Sequence, residues 1–406
     1  RDILPPKTDH DYVHDGVWTE ETARITLSAA DAESGVKTTY YREANEPFSQ
    51  YRRPIDIRKE GKYNVEYYSI DQVGNEEGHR YISVWIDNTP PTVKITSPKN
   101  GAYVSGKTIE VRGNASDTFL SRVLVNGQPA TVADGNFVFT VPLTQEQMTL
   151  AAEAFDEGGH QSSGSVNVIL DASLPVTTDD YAFDNVWVNQ DAGIHLTATD
   201  VGSGIQTTYY RIYAEGTNPP AFVSYNSGQT IAIHQEGEWI VEYYSLDQVG
   251  GAESPRFISV LLDKISPVTA DNHGGYIDPT NQDVVIVLAA TDVRSGVAAI
   301  FVRLDQAGFA PVITPITVTQ DGTHVLEYYA VDQAGNEEAR KTLTIPLDKT
   351  LPQVTVDSPA DGSIIAENTV AIKGSVSSDT VTLTLNGQSV PLVNSAFSVD
   401  NFKLTL

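Results

Sequence analysis

The chain has 406 residues, of which 40% are hydrophobic, so it can form packed cores and wholesale disorder is disfavoured. Its 53 acidic and 26 basic residues give a formal charge of −27, which repels nucleic acid and anionic lipid and attracts cations. Cysteine is absent, which excludes disulfides and thiolate metal sites. No apolar run approaches the roughly 18 residues that a membrane helix needs, so no membrane span is expected.

The first predicted strands define a pattern that recurs along the chain. Residues 24–31 alternate between apolar and polar side chains, a Ser-Gly turn follows, and residues 39–42 read Thr-Tyr-Tyr-Arg. A third run at 65–72 contains Glu-Tyr-Tyr-Ser, and a last run ends at Asp87. Alternation with period two, rich in β-branched and aromatic residues and interrupted by turn residues, predicts half-buried strands. Residues 1–87 are therefore predicted to form one module, called type 1 here.

A second module type is predicted at residues 88–171. It opens with Ser97-Pro98 before a glycine turn, and its Asn126-Gly127 pair indicates a tight hairpin, because a type I′ turn needs two residues at positive φ. Both patterns return: type 1 at 172–263 and 264–348, and type 2 at 349–406. The sequence Asp-x-x-x-Pro marks each boundary, at Asp87/Pro91, Asp171/Pro175, Asp263/Pro267 and Asp348/Pro352.

The predicted fold class is all-β, with tandem Ig-like or fibronectin-III-like β-sandwiches in an elongated array. The fifth module, aligned with the second, is predicted to stop within its sixth strand and so before its last one. An unfinished sandwich exposes an open strand edge. We expect either that the natural chain continues or that a neighbouring chain supplies a strand by β-augmentation.

These residues carry a family resemblance. The pattern Leu-x-Ala-x-Asp-x-x-Ser-Gly, then Tyr-Tyr-Arg, then Glu-Tyr-Tyr-Ser-x-Asp resembles a bacterial Ig-like repeat named after a leptospiral outer-membrane "β-barrel" protein. It covers modules 1, 3 and 4, although Pro279 of module 4 stands where Trp18 and Trp187 stand in the other two. Modules 2 and 5 resemble generic bacterial Ig-like domains. The resemblance implies a β-sandwich fold and an exported protein.

Acidic residues recur at the module boundaries. In Ig topology, the loop between the second and third strands and the loop before the last strand lie at one pole, where the preceding module is attached. Hard cations take six to eight oxygen ligands, so calcium at the junctions is one hypothesis. The candidate ligands are Asp31, Asp71, Asn75, Asp87, Asp117, Asp156, Asp171, Asp200, Asp247, Asp263, Asp292, Asp332 and Asn336. For module 1, no linker aspartate is identified.

An alternative explanation needs no metal. Aspartate side chains accept hydrogen bonds from backbone N–H groups in tight turns, with glycines such as Gly35, Gly204 and Gly296 at positive φ. His10 and His14 also suggest a zinc pair, but the segment is predicted to be a loop and the pair is not repeated. In each Tyr-Tyr pair, one ring is predicted to enter the core and the other to face outwards.

No catalytic motif is evident: the sequence lacks a phosphate-binding loop and a Gly-x-Ser-x-Gly elbow, and its acidic residues recur at turns. We expect a non-catalytic structural protein, secreted or on the bacterial surface, that forms a semi-rigid stalk or fibre. Self-assembly by strand exchange is one version of this role. An adhesin that binds carbohydrate or a neighbouring protein and an accessory array of a secreted hydrolase are the alternatives. The chain opens at Arg1 without a signal peptide, so we expect it to begin either inside a longer precursor or after proteolytic processing.

Overall fold

The computed structural model describes residues 1–312 and 315–405 and is all-β throughout that part of the chain. Buried apolar side chains form five separate clusters, one for each predicted module, so each module has its own core. The chain is a tandem array of Ig-like, fibronectin-III-like β-sandwiches. The described residues contain no helix long and apolar enough to cross a membrane.

Module 1 has a five-stranded sheet in the order β2-β9-β8-β5-β6, opposed by the pairs β1-β4 and β3-β7. Its long strand β8 alternates buried and partly exposed residues over its second half, as the period-two pattern predicts. The strands are β1 (Lys7–His10), β2 (Trp18–Thr19), β3 (Ala23–Ile25), β4 (Leu27–Ala30), β5 (Val36–Glu43), β6 (Ser49–Gln50), β7 (Ile55–Ile57), β8 (Gly61–Asp71) and β9 (Arg80–Ile86).

Module 2 packs the sheet β10-β12-β16-β15 against the sheet β11-β18-β17-β13-β14. Asn126 and Gly127 both have positive φ, at 47° and 77°, which confirms the predicted hairpin turn. The strands are β10 (Thr92–Ser97), β11 (Ala102–Val104), β12 (Thr108–Ser116), β13 (Leu120–Val125), β14 (Gln128–Pro129), β15 (Thr131–Ala133), β16 (Asn136–Pro142), β17 (Gln147–Asp156) and β18 (Gln161–Leu170).

Module 3 repeats the pairing of module 1, with a main sheet in the order β20-β27-β26-β23-β24. Trp187 lies beside Leu261 in the short parallel pair β20-β27, as Trp18 lies beside Trp85 in β2-β9. The strands are β19 (Val176–Asp179), β20 (Trp187–Val188), β21 (Ala192–Ile194), β22 (Leu196–Thr199), β23 (Ile205–Ala214), β24 (Val223–Tyr225), β25 (Ile231–Ile233), β26 (Gly237–Asp247) and β27 (Arg256–Leu262).

Module 4 has the main sheet β32-β31-β34-β35. At the position of the tryptophan strand it has only a single parallel bridge, between Thr280 and Leu347, next to the Pro279 that departs from the repeat pattern. The strands are β28 (Val268–Asp271), β29 (Val284–Ile286), β30 (Leu288–Thr291), β31 (Val297–Leu304), β32 (Ala310–Pro311), β33 (Ile316–Val318), β34 (Gly322–Asp332) and β35 (Lys341–Leu347).

Module 5 has a three-stranded sheet β36-β37-β40 and the hairpin β38-β39. Strand β40 pairs with β37 as β16 pairs with β12, so β40 is the counterpart of β16. The described residues of module 5 therefore form no counterpart of β17 or β18, whereas the alignment predicted that only the last strand is missing. The strands are β36 (Val354–Ser358), β37 (Thr369–Val376), β38 (Leu383–Leu385), β39 (Gln388–Val390) and β40 (Ala396–Lys403).

The paired tyrosines confirm the predicted alternation. Tyr67, Tyr243 and Tyr328 are buried in the cores of modules 1, 3 and 4, with at most 3% of each residue exposed. The following tyrosine of each pair is half exposed on the other face of its sheet. There, each outward tyrosine stacks on an aromatic ring of the neighbouring strand, with ring centroids 5.4 Å apart in all three modules.

Candidate functional site

The acidic residues meet where one module joins the next. Strand β26 ends at Asp247, the turn after β22 begins with Asp200, and Asp171 precedes β19 in the linker from module 2. Because these three segments reach the same pole of the sandwich, their carboxylates come together. Each offers one oxygen, and these oxygens lie within 4.8 Å of one another. Asp171 and Asp247 are buried, whereas Asp200 is half buried.

One oxygen of Asp247 is free. Its Oδ1 atom accepts hydrogen bonds from the backbone N–H groups of Val249 and Gly251, at 2.9 and 2.7 Å. Its Oδ2 atom is fully buried and has no hydrogen-bond partner in the described chain. The cause is visible in the sequence: Gly251 stands where Asn75 and Asn336 stand in modules 1 and 4, so no side-chain amide reaches this oxygen. An unpaired buried carboxylate oxygen is costly.

The junction between modules 3 and 4 has the same arrangement, formed by Asp263, Asp292 and Asp332. Asp263 accepts hydrogen bonds from the amides of Ile265 and Ser295, at 3.0 and 2.9 Å. Asp292 uses only Oδ2 to cap the turn that follows it, and its buried Oδ1 atom has no hydrogen-bond partner among the described residues. This cluster therefore also contains an unpaired carboxylate oxygen.

Module 1 has the equivalent cluster of Asp31 and Asp71, and the structure adds Asp2 as its third carboxylate. The sequence interpretation missed Asp2, although the signal was present. Asp2 and Pro6 repeat the Asp-x-x-x-Pro boundary, and Asp2 precedes Asp31 at the same spacing as the linker aspartates of modules 3 and 4. Asp2 Oδ2 accepts a hydrogen bond from the amide of Ser34, as the linker aspartates do in those modules.

The junction between modules 1 and 2 differs. Asp87 and Asp156 come together there as predicted, but the third member is His160 rather than Asp117. Asp117 instead accepts a hydrogen bond from the amide of Phe119 at 2.7 Å and caps its own turn. His160 Nδ1 lies 2.8 Å from Asp156 Oδ2. The sequence interpretation missed His160 because no other module has a histidine at this position.

Asn75 and Asn336 hydrogen-bond to the aspartates at the ends of strands β8 and β34. Their side-chain amides donate to Oδ2 of Asp71 and Asp332, at 2.7 and 2.8 Å, and the backbone amides of the same residues donate to Oδ1. Asn336 also donates to the carbonyl oxygen of Asp263, which ties the strand end to the linker. The structure therefore places both asparagines beside the clusters, with their N–H groups directed at carboxylate oxygens.

The predicted capping role of the aspartates is confirmed. Oδ2 of Asp31, Asp200 and Asp292 accepts hydrogen bonds from two backbone amides of the following turn. The last amide of each turn belongs to a glycine at positive φ, namely Gly35 (84°), Gly204 (86°) and Gly296 (82°). Capping occupies Oδ2 of each carboxylate. Oδ1 of Asp292 has no hydrogen-bond partner among the described residues, whereas Oδ1 of Asp200 accepts a hydrogen bond of 3.3 Å from the Ser173 hydroxyl.

The charge state of the clusters follows from these hydrogen bonds. Burial alone would raise the pKa of Asp171, but hydrogen bonds from Ser173 and Ser203 outweigh it and lower the pKa to about 2. Burial would likewise raise the pKa of Asp71, but donors from Asn75 and the following turn lower it. At the junction of modules 1 and 2 the balance is reversed, because burial and the carboxylate of Asp156 raise the pKa of Asp87.

The histidine pair of module 1 does not form a joint site in the structure. The His10 ring contacts the buried Tyr67 edge to face, with centroids 6.1 Å apart, and His14 contacts Tyr12 in the same manner. Neither histidine belongs to a group of three or more potential ligands within the described chain. Aromatic packing therefore accounts for the position of both rings.

Part of the chain is similar to characterised proteins. Residues 91–172, which correspond to module 2, match the family described as Glucodextranase, domain B. A stretch of 120 residues, 30% of this chain, is 29% identical to Bacillopeptidase F of Bacillus subtilis (strain 168). The matched region spans 8% of the length of that protein.

Several solved structures are similar in fold. The tetra-tandem repeat in the extending region of a large adhesion protein is 19% identical with a TM-score of 0.32, over 85% of this chain and 99% of that chain. The ICAM-5 D1–D4 ectodomain fragment is 11% identical with a TM-score of 0.38, over 85% and 100%. The fibronectin(III)-like modules of Clostridium thermocellum CbhA are 15% identical with a TM-score of 0.29, over 42% and 94%. At these identities the likeness concerns the fold alone.

Proposed function

We propose that this chain is a non-catalytic, extracellular array of Ig-like modules that serves as a semi-rigid stalk on the bacterial surface. Calcium ions at the junctions would hold neighbouring modules in a fixed orientation. The bacterial, exported setting rests on the resemblance of modules 1, 3 and 4 to the leptospiral-type repeat. The single observation that carries the calcium assignment is the cluster of Asp171, Asp200 and Asp247, with its buried and unpaired carboxylate oxygen.

Electrostatics favour a cation in this cluster. Two unit charges 4 Å apart interact by about 4 kcal/mol at an effective dielectric constant of 20, so three close carboxylates repel one another strongly. Lys and Arg are absent from the side chains that hydrogen-bond to Asp171, Asp200 and Asp247 in the described chain. A divalent cation would remove this repulsion. Calcium fits best because it accepts carboxylate oxygens in irregular geometry and completes its shell with carbonyls and water.

The chain also has contacts across the junctions that would limit bending. Lys62 of module 1 forms an ion pair of 2.7 Å with Glu157 of module 2, and Trp18 packs on Phe119 with ring centroids 4.7 Å apart. Ser105 of module 2 donates a hydrogen bond of 3.0 Å to the carbonyl oxygen of Val249 in module 3. Such contacts, together with short proline-containing linkers, favour a stiff array over a flexible chain.

Thermal unfolding with calcium and with chelator tests the proposal. A ligand that binds only the folded state raises the melting temperature, so calcium should shift at least one transition upwards. Asp247→Asn should abolish the shift at the junction of modules 2 and 3. The asparagine keeps an oxygen where Oδ1 accepts the amides of Val249 and Gly251 and removes the charge. Asp278→Asn, at an exposed aspartate of module 4, is the matched control and should retain the full calcium response.

The calcium assignment is wrong if the unchanged chain melts at the same temperature with calcium and with chelator. Small-angle scattering tests the stalk separately. An elongated particle is expected. The range of maximum dimensions that fits the scattering should become narrower when calcium is added. A compact particle in both conditions would contradict a stalk, whatever the melting curves show.

A second candidate function has its own observation. The match of residues 91–172 to Glucodextranase, domain B, and the partial identity to Bacillopeptidase F both involve proteins named as hydrolases. The chain would then be an accessory array beside a catalytic domain encoded in the same gene. The sequence of the full-length gene decides between the two candidates: an adjoining hydrolase domain favours the accessory role, and further repeats alone favour the stalk.

A further inference from the structure

A cleft in module 3, at its junction with module 4, is lined by aromatic and polar side chains that the stalk does not require. Its volume is about 560 Å³, within the range of small-ligand sites. Tyr181, Phe183 and Trp187 supply the aromatic surface, and Asn189 supplies an amide. The wall on the side of module 4 is Ala334. The small side chain leaves the cleft open.

A comparison within the chain shows that Trp187 and Trp18, which are both half buried, differ in their aromatic and cationic neighbours. In module 1, Phe119 of module 2 packs on Trp18 with 4.7 Å between ring centroids, and the ammonium group of Lys62 lies 4.9 Å from the centre of the Trp18 ring. In module 3, Glu238 stands where Lys62 stands in module 1. In module 4, Val293 and Arg294 follow Asp292 where Thr118 and Phe119 follow Asp117 in module 2. Trp187 has no aromatic or cationic partner in the described part of the chain and faces the cleft instead.

The chemistry of the lining selects a neutral, hydroxyl-rich ligand. Aromatic rings provide a flat apolar surface, and amides such as Asn189 and Gln190 both donate and accept hydrogen bonds, as sugar hydroxyls do. The lining includes Asp180 and Asp191 but no lysine or arginine among its described residues, so an anionic ligand would be repelled. All four of their carboxylate oxygens already accept hydrogen bonds, those of Asp180 from His195 and those of Asp191 from Lys264 and His234, so none is left unpaired to bind a cation.

We propose that this cleft, defined by Tyr181, Phe183, Trp187 and Asn189, is a binding site for a neutral saccharide. A sugar ring would lie against the Trp187 indole, and its hydroxyls would hydrogen-bond to Asn189 and Gln190. The site adds a ligand-binding surface to the array and does not depend on calcium or on the stalk. Failure of the saccharide experiment therefore leaves the stalk and its calcium assignment untouched, and the reverse also holds.

The experiment uses the full chain and an immobilised panel of neutral gluco-, manno- and N-acetylglucosamine oligosaccharides, with sulfated oligosaccharides and a lysine-rich peptide as comparison probes. Binding to at least one neutral oligosaccharide is expected. Trp187→Ala should weaken it by roughly tenfold or more, since buried tryptophans dominate binding energy. Asn189→Ala, which removes no core contact, should also weaken it. Trp18→Ala, at the same repeat position in module 1, should leave the affinity unchanged.

Three results would overturn the proposal. The first is no binding to any neutral oligosaccharide at millimolar concentration. The second is binding that neither Trp187→Ala nor Asn189→Ala reduces. The third is binding of only the lysine-rich peptide or the sulfated probes. Because Asn189 lies outside the hydrophobic core, its variant keeps the test decisive even where Trp187→Ala destabilises module 3.

Discussion

The hydroxyl group of Tyr243 donates a hydrogen bond of 2.6 Å to Oδ2 of Asp179 and so ties strand β26 to strand β19 across the core of module 3. Burial and this carboxylate raise the pKa of Tyr243 far above its ordinary value. Module 4 repeats the bond between Tyr328 and Asp271 at 2.7 Å. In module 1, His10 stands at the position of this aspartate, and its ring contacts the buried Tyr67 edge to face.

This difference predicts unequal effects of the same substitution. Tyr243→Phe removes a hydrogen bond to a charged group and should lower the stability of module 3 by about 1.5–3 kcal/mol. Tyr67→Phe in module 1 loses no bond to a carboxylate at the equivalent position and should cost less. Hydrogen–deuterium exchange read by mass spectrometry resolves the modules. Equal losses of protection in modules 1 and 3 would contradict the role given to Asp179.

The cross-strand ion pair on the outer sheet face gives a second prediction. Arg211 donates through Nε and Nη2 to Glu242, whose side chain is only 6% exposed, and its guanidinium lies 4.2 Å from the centre of the Phe222 ring. Arg211→Ala leaves this carboxylate buried without its main partner and should cost about 2–4 kcal/mol. The equivalent glutamate of module 4, Glu327, is 20% exposed and can be solvated.

Arg303→Ala, which breaks the pair with Glu327, should therefore destabilise module 4 less than Arg211→Ala destabilises module 3. Urea unfolding followed by module-resolved exchange measures both. A larger loss in module 4 would show that burial of the carboxylate does not set the cost.

Close backbone approach in module 2 gives a third prediction. A Cβ atom on Gly113 would lie 2.3 Å from the carbonyl oxygen of Lys94 and 2.2 Å from the ring of the buried Phe137. Gly113→Ala should therefore force the sheet or the ring to move and destabilise module 2 by about 1–3 kcal/mol or more. Gly78→Ala, where no atom lies within 4 Å of the added Cβ, is the control and should be nearly neutral.

Module 5 contains the same packing, since a Cβ atom on Gly374 would lie 2.0 Å from the carbonyl oxygen of Thr355 and 2.7 Å from the Phe397 ring. Differential scanning calorimetry of Gly113→Ala should show a lowered transition for module 2. An unchanged thermogram would mean that the strands adjust at no cost.

The sequence was sufficient to predict the strand pattern, the hairpin at Asn126 and the alternation of the tyrosine pairs, because each depends on local backbone preferences and period-two burial. The clusters were only partly predictable. Asp2 lay within the repeat spacing and was overlooked, whereas His160 has no repeat counterpart and joins Asp87 and Asp156 only through the way two modules meet. Asp117 lies in the expected loop, yet its carboxylate turns back to cap that loop.

The histidine at the first junction gives a pH prediction. Burial alone would lower the pKa of His160, but the hydrogen bond and charge of Asp156 outweigh it and raise the pKa above the ordinary 6.5. A histidine whose pKa is higher in the folded state contributes stability that is fully present below pH 6.5 and is lost as the pH rises through the folded pKa. The junction of modules 1 and 2 should therefore be more stable against local unfolding at pH 6 than at pH 8.5. Hydrogen exchange of residues 147–170 measures the difference, and His160→Gln should abolish it. If the unsubstituted chain shows the same hydrogen-exchange protection at both pH values, protonated His160 does not stabilise this junction.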